Sequence, residues 1–454
     1  MKKNLKKSIA IAIAVCMFAA MLSLPMLSFA DTWDGASVSD GLAGSGTEED
    51  PFIIATAADF AYFADQSRAE EHFEDQYVKL DDDISLGDIE IAPLGEFKGI
   101  FDGNGHEISG ININTTSDNV ALFSSIAGGA IKDLTLAGSI TSTGAYVGGF
   151  AGYVLSASFD NCVNNIDVTG RGKVGGICGS VISGGNAEII YCKNNGTITA
   201  TNEANYSFLG GLIGEIQKDA TSYATVSIIC SENAGSVVSR TRTVAAGLVG
   251  QNRGDLTIKN CINSGTVTAA TQIGGIVANV NNDAIALTVE NTINVGTLRT
   301  IRTTGATAHI GAILGYYAEK ANSETFENAF YRNSDYDFNG ANDGQTANTP
   351  RGTAMDTASD WTDGTIVALL NGDAEEPVFE QGENYPVLIV KKDSGDECAH
   401  VPSGWILDKE ATTEEAGLKH KECTICGAIL EEEVIDKIEM PNIEPGEGVP
   451  EIEV

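Results

Sequence analysis

Four residues of metal-binding types are grouped near the C-terminal end of the sequence. Cys398 and His400 are separated by one residue, and Cys423 and Cys426 form a Cys-x-x-Cys-Gly turn. Three thiolates and one imidazole make up a tetrahedral Cys3His set of the kind that holds structural Zn²⁺. The spacer 401–422 is long enough to fold as a small hairpin. The sequence therefore predicts a structural zinc site at these four residues.

Two other chemistries use the same side chains. A disulfide, either Cys423–Cys426 or Cys398 to one of them, is open to a chain that reaches an oxidising compartment. A redox-active Cys-x-x-Cys is disfavoured because no thioredoxin-like βαβ pattern surrounds it. His420 is a spare ligand candidate whose simpler interpretation is a surface residue.

Groups that could cleave a glycan are sparse in the rest of the sequence. Enzymes of this kind use paired acids, or Ca²⁺ with a basic residue. The acidic run 81–83 is better interpreted as a solvated turn, and the string that begins at His106 lacks the second His of an HExxH motif. The sequence predicts no catalytic residue.

Charge excludes one class of partner. The 454 residues include 27 Lys and Arg against 63 Asp and Glu, a net charge of -36. Binding to a phosphate backbone requires an excess of basic side chains, so we expect no nucleic-acid partner. An apolar content of 43% together with 51 Gly is typical of a folded chain rather than a disordered one.

The first thirty residues have the pattern of a signal peptide. A basic segment at 1–7 precedes an almost wholly apolar segment at 9–27, and Ser28 and Ala30 place small residues before a cleavage point at Asp31. No later run approaches the roughly 20 apolar residues of a membrane span. We expect a secreted or cell-surface bacterial protein with no membrane span once the signal is removed.

Two elements alternate through the middle of the sequence. The first is an Asn followed by a turn residue and an aliphatic one, and it recurs about every 30 residues, at Asn164, Asn194, Asn233, Asn263 and Asn294. The second is a Gly-Gly-aliphatic-x-Gly element, with copies that begin at Gly148, Gly175, Gly210, Ala246, Gly274 and Gly311. About three short β-type runs fit between successive turns, and helical periodicity is absent.

Proline supports one architecture. None occurs between Pro93 and Pro350, as expected of stacked strands whose backbones all donate hydrogen bonds. A propeller blade would need about 40–45 residues and four strands. The sequence therefore predicts an all-β fold, a right-handed parallel β-helix solenoid in which stacking buries each coil.

Stacking gives the repeat cysteines a role. Cys162, Cys192, Cys230 and Cys261 precede the Asn column, and Thr292 takes the fifth place. They are expected to form a buried ladder of free thiols, with disulfides between coils as the alternative. The Asn column is expected to be a left-handed or hydrogen-bonded corner ladder.

The ends of the solenoid need covers. Thr56 and Asp59 resemble a capping box, and the apolar residues Phe60, Phe63 and Ala64 follow at helical spacing, which predicts a short N-terminal capping helix. The run 365–370 is a second candidate cap. The expected organisation is a signal peptide at 1–30, a linker at 31–50, the β-helix at 51–392, a small Cys/His module at 393–437 and an acidic tail at 438–454.

The repeated elements resemble the GLUG-motif repeat of bacterial surface and secreted proteins. Segments 46–54, 97–106 and 383–388 are similar to the entry, first full coil and exit of those domains, so the resemblance covers about residues 46–390. It implies a pectate-lyase-like β-helix that is usually non-catalytic and associated with adhesion or display. The C-terminal segment resembles a short Cys/His repeat of Gram-positive surface proteins.

These observations lead to one expectation and two rivals. We expect an adhesin-like protein that binds glycans or extracellular proteins through its β-helix. The first rival is a polysaccharide lyase or hydrolase on the same scaffold, which would need acids and a base converging on one face. The second is a structural spacer that binds nothing.

Overall fold

The computed structural model of the protein describes most of the chain between residues 32 and 437. The described residues are 32–69, 72–201, 207–239, 243–281, 285–301, 309–317, 323–332, 336–337, 351–355, 357–374, 376–389, 406–409, 411–412, 416–422, 429–435 and 437. They form two compact units. The first ends at Ile389 in the sequence, and the second begins at Val390. The signal-peptide segment and all four predicted zinc ligands lie outside the described residues.

The first unit is the predicted right-handed parallel β-helix. Equivalent strands of successive coils pair in parallel, and the right-handed sense is the one that parallel connections adopt. One inward-facing column consists of Val168, Ile198, Val237, Val267 and Leu298, which lie in register and have no exposed surface. The apolar residue of each coil is therefore buried against the same residue of the next.

Most strands belong to one large sheet that winds around the solenoid. Its 28 described strands are Phe52–Ile54, Tyr77–Leu80, Ile84–Ser85, Leu94–Phe97, Ile100–Asp102, Glu107–Thr115, Phe123–Lys132, Thr135–Ser142, Ala151–Asp160, Val163–Gly170, Cys178–Ile190, Lys193–Asn194, Ile198–Ala200, Ile213–Ile216, Thr225–Ile229, Glu232–Asn233, Val237–Val238, Val249–Asn252, Asp255–Lys259, Ile262–Asn263, Val267–Ala269, Val277–Val280, Ala286–Asn294, Leu298–Thr300, Leu314–Tyr317, Ser323–Tyr331, Tyr336–Asp337 and Thr353–Ala354.

A separate parallel sheet occupies one side of the same solenoid. Its six described strands are Tyr146–Gly148, Lys173–Gly175, Phe208–Gly210, Val244–Ala246, Gln272–Gly274 and His309–Gly311. The expectation of three strands per coil is wrong, because a middle coil such as 213–246 contains five short strands. One of these breaks lies at a left-handed residue, such as Tyr191 of the preceding coil with a φ of 52°, which turns the chain.

The predicted N-terminal capping helix is present as α1, Ala57–Arg68. The Thr56 hydroxyl accepts a hydrogen bond from the Asp59 backbone amide, and the Asp59 carboxylate accepts one from the Thr56 amide, which completes the capping box. Phe63 is fully buried and packs against Phe97 and Phe101 of the first coils. The helix therefore closes the N-terminal end of the apolar core.

The second candidate cap also forms, but it covers a side of the solenoid. A 3-10 helix at Ala358–Trp361 leads into α2, Thr365–Asn371, which is followed by an antiparallel pair of strands, Phe379–Gln381 and Pro386–Leu388. Trp361 and Ile366 are buried in one cluster with Ile262 and Ile293. These two isoleucines lie at the register position that Lys193 and Glu232 occupy in earlier coils. The segment therefore covers an apolar patch on the last coils.

The Asn column is a hydrogen-bonded ladder rather than a left-handed corner. Each Asn is fully buried, and its Nδ2 donates to Oδ1 of the next at 2.7–2.9 Å. Asn294 ends the ladder by donating to the carbonyl of Ala312 at 2.9 Å. The left-handed corner lies three residues earlier, at Asn161, Asn260 and Asn291. One polar column therefore runs through the core with its amides paired from coil to coil.

The thiol ladder is confirmed for three of its four cysteines. Cys162, Cys192 and Cys261 are buried free thiols, but Cys230 occupies the left-handed corner, with a φ of 49°. Ser231 takes its place in the ladder and accepts a hydrogen bond from the Cys192 backbone amide at 3.1 Å. The assignment of Cys230 to the ladder is therefore wrong. No cysteine among the described residues forms a disulfide.

Burial should make these thiols unreactive in the folded protein. Burial raises the pKa of Cys178 to about 12 and also raises the pKa of Cys261, so little thiolate exists near neutral pH. We expect iodoacetamide to leave Cys162, Cys178, Cys192, Cys230 and Cys261 unlabelled in the native protein and to label all five after denaturation. Peptide mass spectrometry measures this, and native labelling of a ladder cysteine would contradict the packing.

The second unit contains a three-stranded antiparallel sheet. Its strands are Ile406–Lys409, Gly417–Glu422 and Ile429–Ile435, and the first two form a hairpin within the spacer 401–422. Within the described part of the chain, no helix combines the length and apolar composition needed to cross a membrane.

Candidate functional site

A polar crease runs along the outside of the β-helix, beside the Gly-Gly turns. At each turn the chain leaves a strand of the six-stranded sheet and enters a strand of the large sheet after two residues. The two strands approach closely beside the turn. A Cβ added to Gly179 of the large sheet would lie 2.6 Å from the amide nitrogen of Val147 in the six-stranded sheet. Outward side chains on the two strands therefore face each other.

The two walls of the crease consist of side chains in register from coil to coil. The first wall contains Tyr146, Lys173, Phe208, Val244, Gln272 and His309. The second wall contains Tyr153, Ser180, Glu215, Gln251, Asn279 and Tyr316. Several second-wall residues are polar yet almost fully buried, with Glu215 only 4% and Asn279 only 6% exposed.

One buried carboxylate lies in the middle of the crease. Glu215 Oε2 is 3.7 Å from Lys173 Nζ across the crease, and its Oε1 is 3.8 Å from Arg253 Nη1. Burial raises the pKa of Glu215, and the two cations oppose that shift without cancelling it. Lys173 also lies 4.9 Å from the centre of the Tyr146 ring. The middle of the crease therefore has two cations around one acid.

The raised pKa gives Glu215 a pH signature. Between its ordinary value of 4.5 and its higher folded value, the native state binds more protons than the unfolded state, so the free energy of unfolding falls as pH rises. We expect Glu215→Gln to abolish this contribution, so that wild type loses stability relative to the variant between about pH 4.5 and pH 8. Urea unfolding at both pH values measures the difference.

A control separates this effect from the loss of any ion-paired acid. Glu232 pairs with Lys193 at 3.0 Å on another face, where the lysine side chain is 42% exposed. Glu232→Gln should change the free energy of unfolding by no more than about 1 kcal/mol. A stability difference between wild type and Glu215→Gln that grows in favour of wild type as pH rises would contradict the assignment.

Four side chains form an array at the far end of the crease. Gln272 and His309 are neighbours on the first wall, and Asn279 and Tyr316 are neighbours on the second. The His309 and Tyr316 rings meet across the crease with centroids 4.5 Å apart. Burial lowers the pKa of His309, so its imidazole is neutral near pH 7.

Three polar atoms of this array have no partner among the described residues. They are Oε1 of Gln272, Oδ1 of Asn279 and Nδ1 of His309, and each is shielded from solvent. Buried polar atoms are nearly always hydrogen-bonded, so a group of three in one place is unusual. The array therefore has hydrogen-bonding capacity that the described residues leave unused.

Other residues singled out in the sequence have structural contacts. His106 Nδ1 lies 3.1 Å from Asp83 Oδ1, and the same carboxylate accepts the Glu107 backbone amide at 3.0 Å. This links two turns of adjacent coils, in keeping with the structural interpretation of both residues. Within the described ranges, no group of three or more His, Cys, Asp and Glu could hold a metal ion. His420 lies on a strand of the second unit, while Cys398, His400, Cys423 and Cys426 lie outside these ranges.

The crease residues were not anticipated, although a signal for them exists in the sequence. First-wall residues stand two positions before the first Gly of each Gly-Gly element, as Lys173 does before Gly175. Second-wall residues follow the last Gly directly, as Glu215 follows Gly214. An alignment of the repeats at these two flanking positions places the residues of each wall in one column.

Comparisons with known proteins give limited similarity. No family model matches the chain. Over 161 residues the chain is 28% identical to halomucin from Haloquadratum walsbyi, a match that covers 32% of this chain and 2% of halomucin. Among solved structures it is similar to a candidate immunoglobulin A1 protease from Bacteroides ovatus, with 18% identity, a TM-score of 0.48 and coverage of 76% of this chain and 94% of that one. These similarities therefore establish no family for the chain.

Proposed function

We propose that the protein is an exported, adhesin-like recognition protein that binds a glycan chain along the crease without cleaving it. The observation that carries this proposal is the composition of the crease, which combines aromatic rings with buried polar side chains over several successive coils. Sugar rings present polar hydroxyls at their edges and apolar C–H faces, and such mixed surfaces suit them. The signal-peptide pattern at 1–30 and the repeat resemblance support export and surface display.

The spacing of the acids supports binding rather than hydrolysis. Glu96 and Glu215 lie in the same outward column and are separated by four coils, through Ser125, Tyr153 and Ser180. At about 4.8 Å per coil they are roughly 19 Å apart. The paired carboxyls of glycosidases lie about 5–9.5 Å apart. These two acids could not act together on one glycosidic bond.

The test is retention of the purified mature chain on immobilised mucin, host-matrix and plant polysaccharides, with mass spectrometry of any released fragments. We expect retention without fragments. Lys173→Met should weaken retention about tenfold, because the cation projects into the crease. Lys193→Met is the matched control, since this lysine also pairs with a glutamate but lies on another face, and it should leave retention unchanged. Released fragments would favour a lyase or hydrolase, and no retention would favour a spacer.

We also propose that the second unit holds structural zinc through Cys398, His400, Cys423 and Cys426. Support comes from the ligand types and their spacing, and from the antiparallel pairing of Gly417–Glu422 with Ile429–Ile435, the strands before and after the Cys-x-x-Cys segment in the chain. We expect one zinc per chain by elemental analysis and none in a Cys423→Ser/Cys426→Ser variant. A disulfide detected by mass spectrometry in zinc-free wild type would contradict this.

A further inference from the structure

We infer that the array of Gln272, Asn279, His309 and Tyr316 is a subsite for one uncharged sugar ring. This inference rests on the proposed function, because it specifies what one part of the crease recognises. The four side chains lie on two adjacent coils and two facing walls. With coils about 4.8 Å apart, the array has the dimensions of a single ring rather than of a chain.

The hydrogen-bonding capacity of the array determines the ligand chemistry. Gln272 Oε1 and Asn279 Oδ1 can only accept hydrogen bonds, and Nδ1 of a neutral His309 accepts when its proton is on Nε2. All three atoms are shielded from solvent and lack a partner within the described residues. Sugar hydroxyls can donate to all three. A carboxylate or sulfate offers only acceptors at this position, so the acceptor atoms disfavour a charged sugar.

The aromatic residues supply the second half of the recognition. The Tyr316 side chain is partly exposed in the crease, and its ring is inclined at 43° to the His309 imidazole. A C–H face of a sugar packs favourably on such a ring while the hydroxyls at its edge reach polar neighbours. Asn279 is more than nine-tenths buried and adjoins Tyr316 on the same wall. Its unpaired oxygen and the ring therefore belong to adjacent positions of the same wall.

The array differs in chemistry from the middle of the crease. Around Glu215 the polar groups are charged and already paired with Lys173 and Arg253. The array has no carboxylate, lysine or arginine among its four members, and its acceptors remain unpaired within the described part of the chain. The two positions are therefore expected to respond to different changes, the first to charge and the second to hydroxyl donors.

The test is an NMR saturation-transfer titration of the full mature chain. The probes are neutral methyl glycosides of glucose, galactose, mannose and N-acetylglucosamine, together with methyl glucuronide as the matched acid. We expect at least one neutral glycoside to bind, and methyl glucuronide to bind at least threefold more weakly than the tightest of them. Asn279→Leu and Tyr316→Ala should each reduce affinity about tenfold, whereas Tyr316→Phe, which keeps the ring, should reduce it less than threefold.

Controls separate failure of the subsite from failure of the fold or of the proposed function. Asn195→Leu changes an exposed Asn on another face and should leave affinity unchanged, and circular dichroism checks that every variant is folded. The subsite is overturned if neutral glycosides do not bind while polysaccharide retention persists and depends on Lys173. It is also overturned if folded Asn279→Leu binds as wild type does, or if the uronate binds more tightly. If neither glycosides nor polysaccharides bind, the proposed function falls with it.

Discussion

Replacing Asn233 with leucine is expected to lower the free energy of unfolding by about 3 kcal/mol, because it breaks the polar ladder in the middle of the core. Asn233 accepts from Asn194 at 2.7 Å and donates to Asn263 at 2.9 Å and to the Gly235 carbonyl at 3.0 Å. All of these groups are buried, so no water replaces the lost partners. Each buried group left unsatisfied costs about 1–3 kcal/mol.

Asn195 provides a matched control for this change. It follows Asn194 in the sequence, and its Nδ2 donates to Asn165 Oδ1 at 2.9 Å, but the pair is exposed. Asn195→Leu should alter the free energy of unfolding by no more than about 0.5 kcal/mol, because water can replace the lost partner. Urea unfolding followed by circular dichroism compares both variants with wild type. Equal losses in the two would show that burial of the ladder contributes nothing.

The coil architecture was predictable because a repeat of about 30 residues presents the same structural position many times. Alternation of inward and outward residues then follows from strand geometry, and the capping helix follows from Thr56 and Asp59. For the Asn column the sequence left two alternatives, a left-handed corner and a hydrogen-bonded ladder, and the bond between Asn194 and Asn233 shows the ladder. The choice depends on backbone angles, which residue type alone leaves open, since Asn suits both a left-handed corner and a paired amide.

The error at Cys230 has a simple origin. Cys192 lies two residues before the ladder residue Asn194, but Cys230 lies three residues before Asn233. Residue type suggested one column, whereas the spacing assigns Ser231 to it. The hydroxyl fits because it donates to the Ile229 carbonyl at 2.8 Å and accepts the Cys192 amide. Spacing from the Asn column is therefore a better guide to register than shared chemistry.

The crease was not predictable, because outward residues on a strand are normally solvated. Burial of Glu215 to 4% exposure results from the sharp angle between two strands, and the sequence contains this angle only as a Gly-Gly pair. The lowered pKa of His309 and the burial of its Nδ1 result from the same close approach of the two strands. Its type and position relative to Gly311 were visible, but its environment was not.

The second Gly of each Gly-Gly element faces the Asn ladder of the following coil, which links the two repeated elements physically. At Gly149, Gly176, Gly211, Gly247 and Gly275 an added Cβ would overlap both the ladder side chain and a carbonyl of the adjacent turn. Ala312 occupies the same position in the last turn. There the register position of the next ladder residue is held by Tyr331 instead of Asn, so the constraint is relaxed.

Gly211→Ala is therefore expected to destabilise the protein by about 3 kcal/mol even though only one methyl group is added. The methyl would overlap the Asn233 amide and the Gly247 carbonyl, and neither can withdraw, since one is held in the ladder and the other in the next coil. Restriction of the unfolded chain opposes this by only about 0.4–1 kcal/mol. Gly41→Ala is the control, because nothing lies within 4 Å of the position that its methyl group would occupy, and it should leave the urea midpoint nearly unchanged. If Gly211→Ala unfolded at the same midpoint as Gly41→Ala, the close approach of turn and ladder could not explain why the two elements recur together.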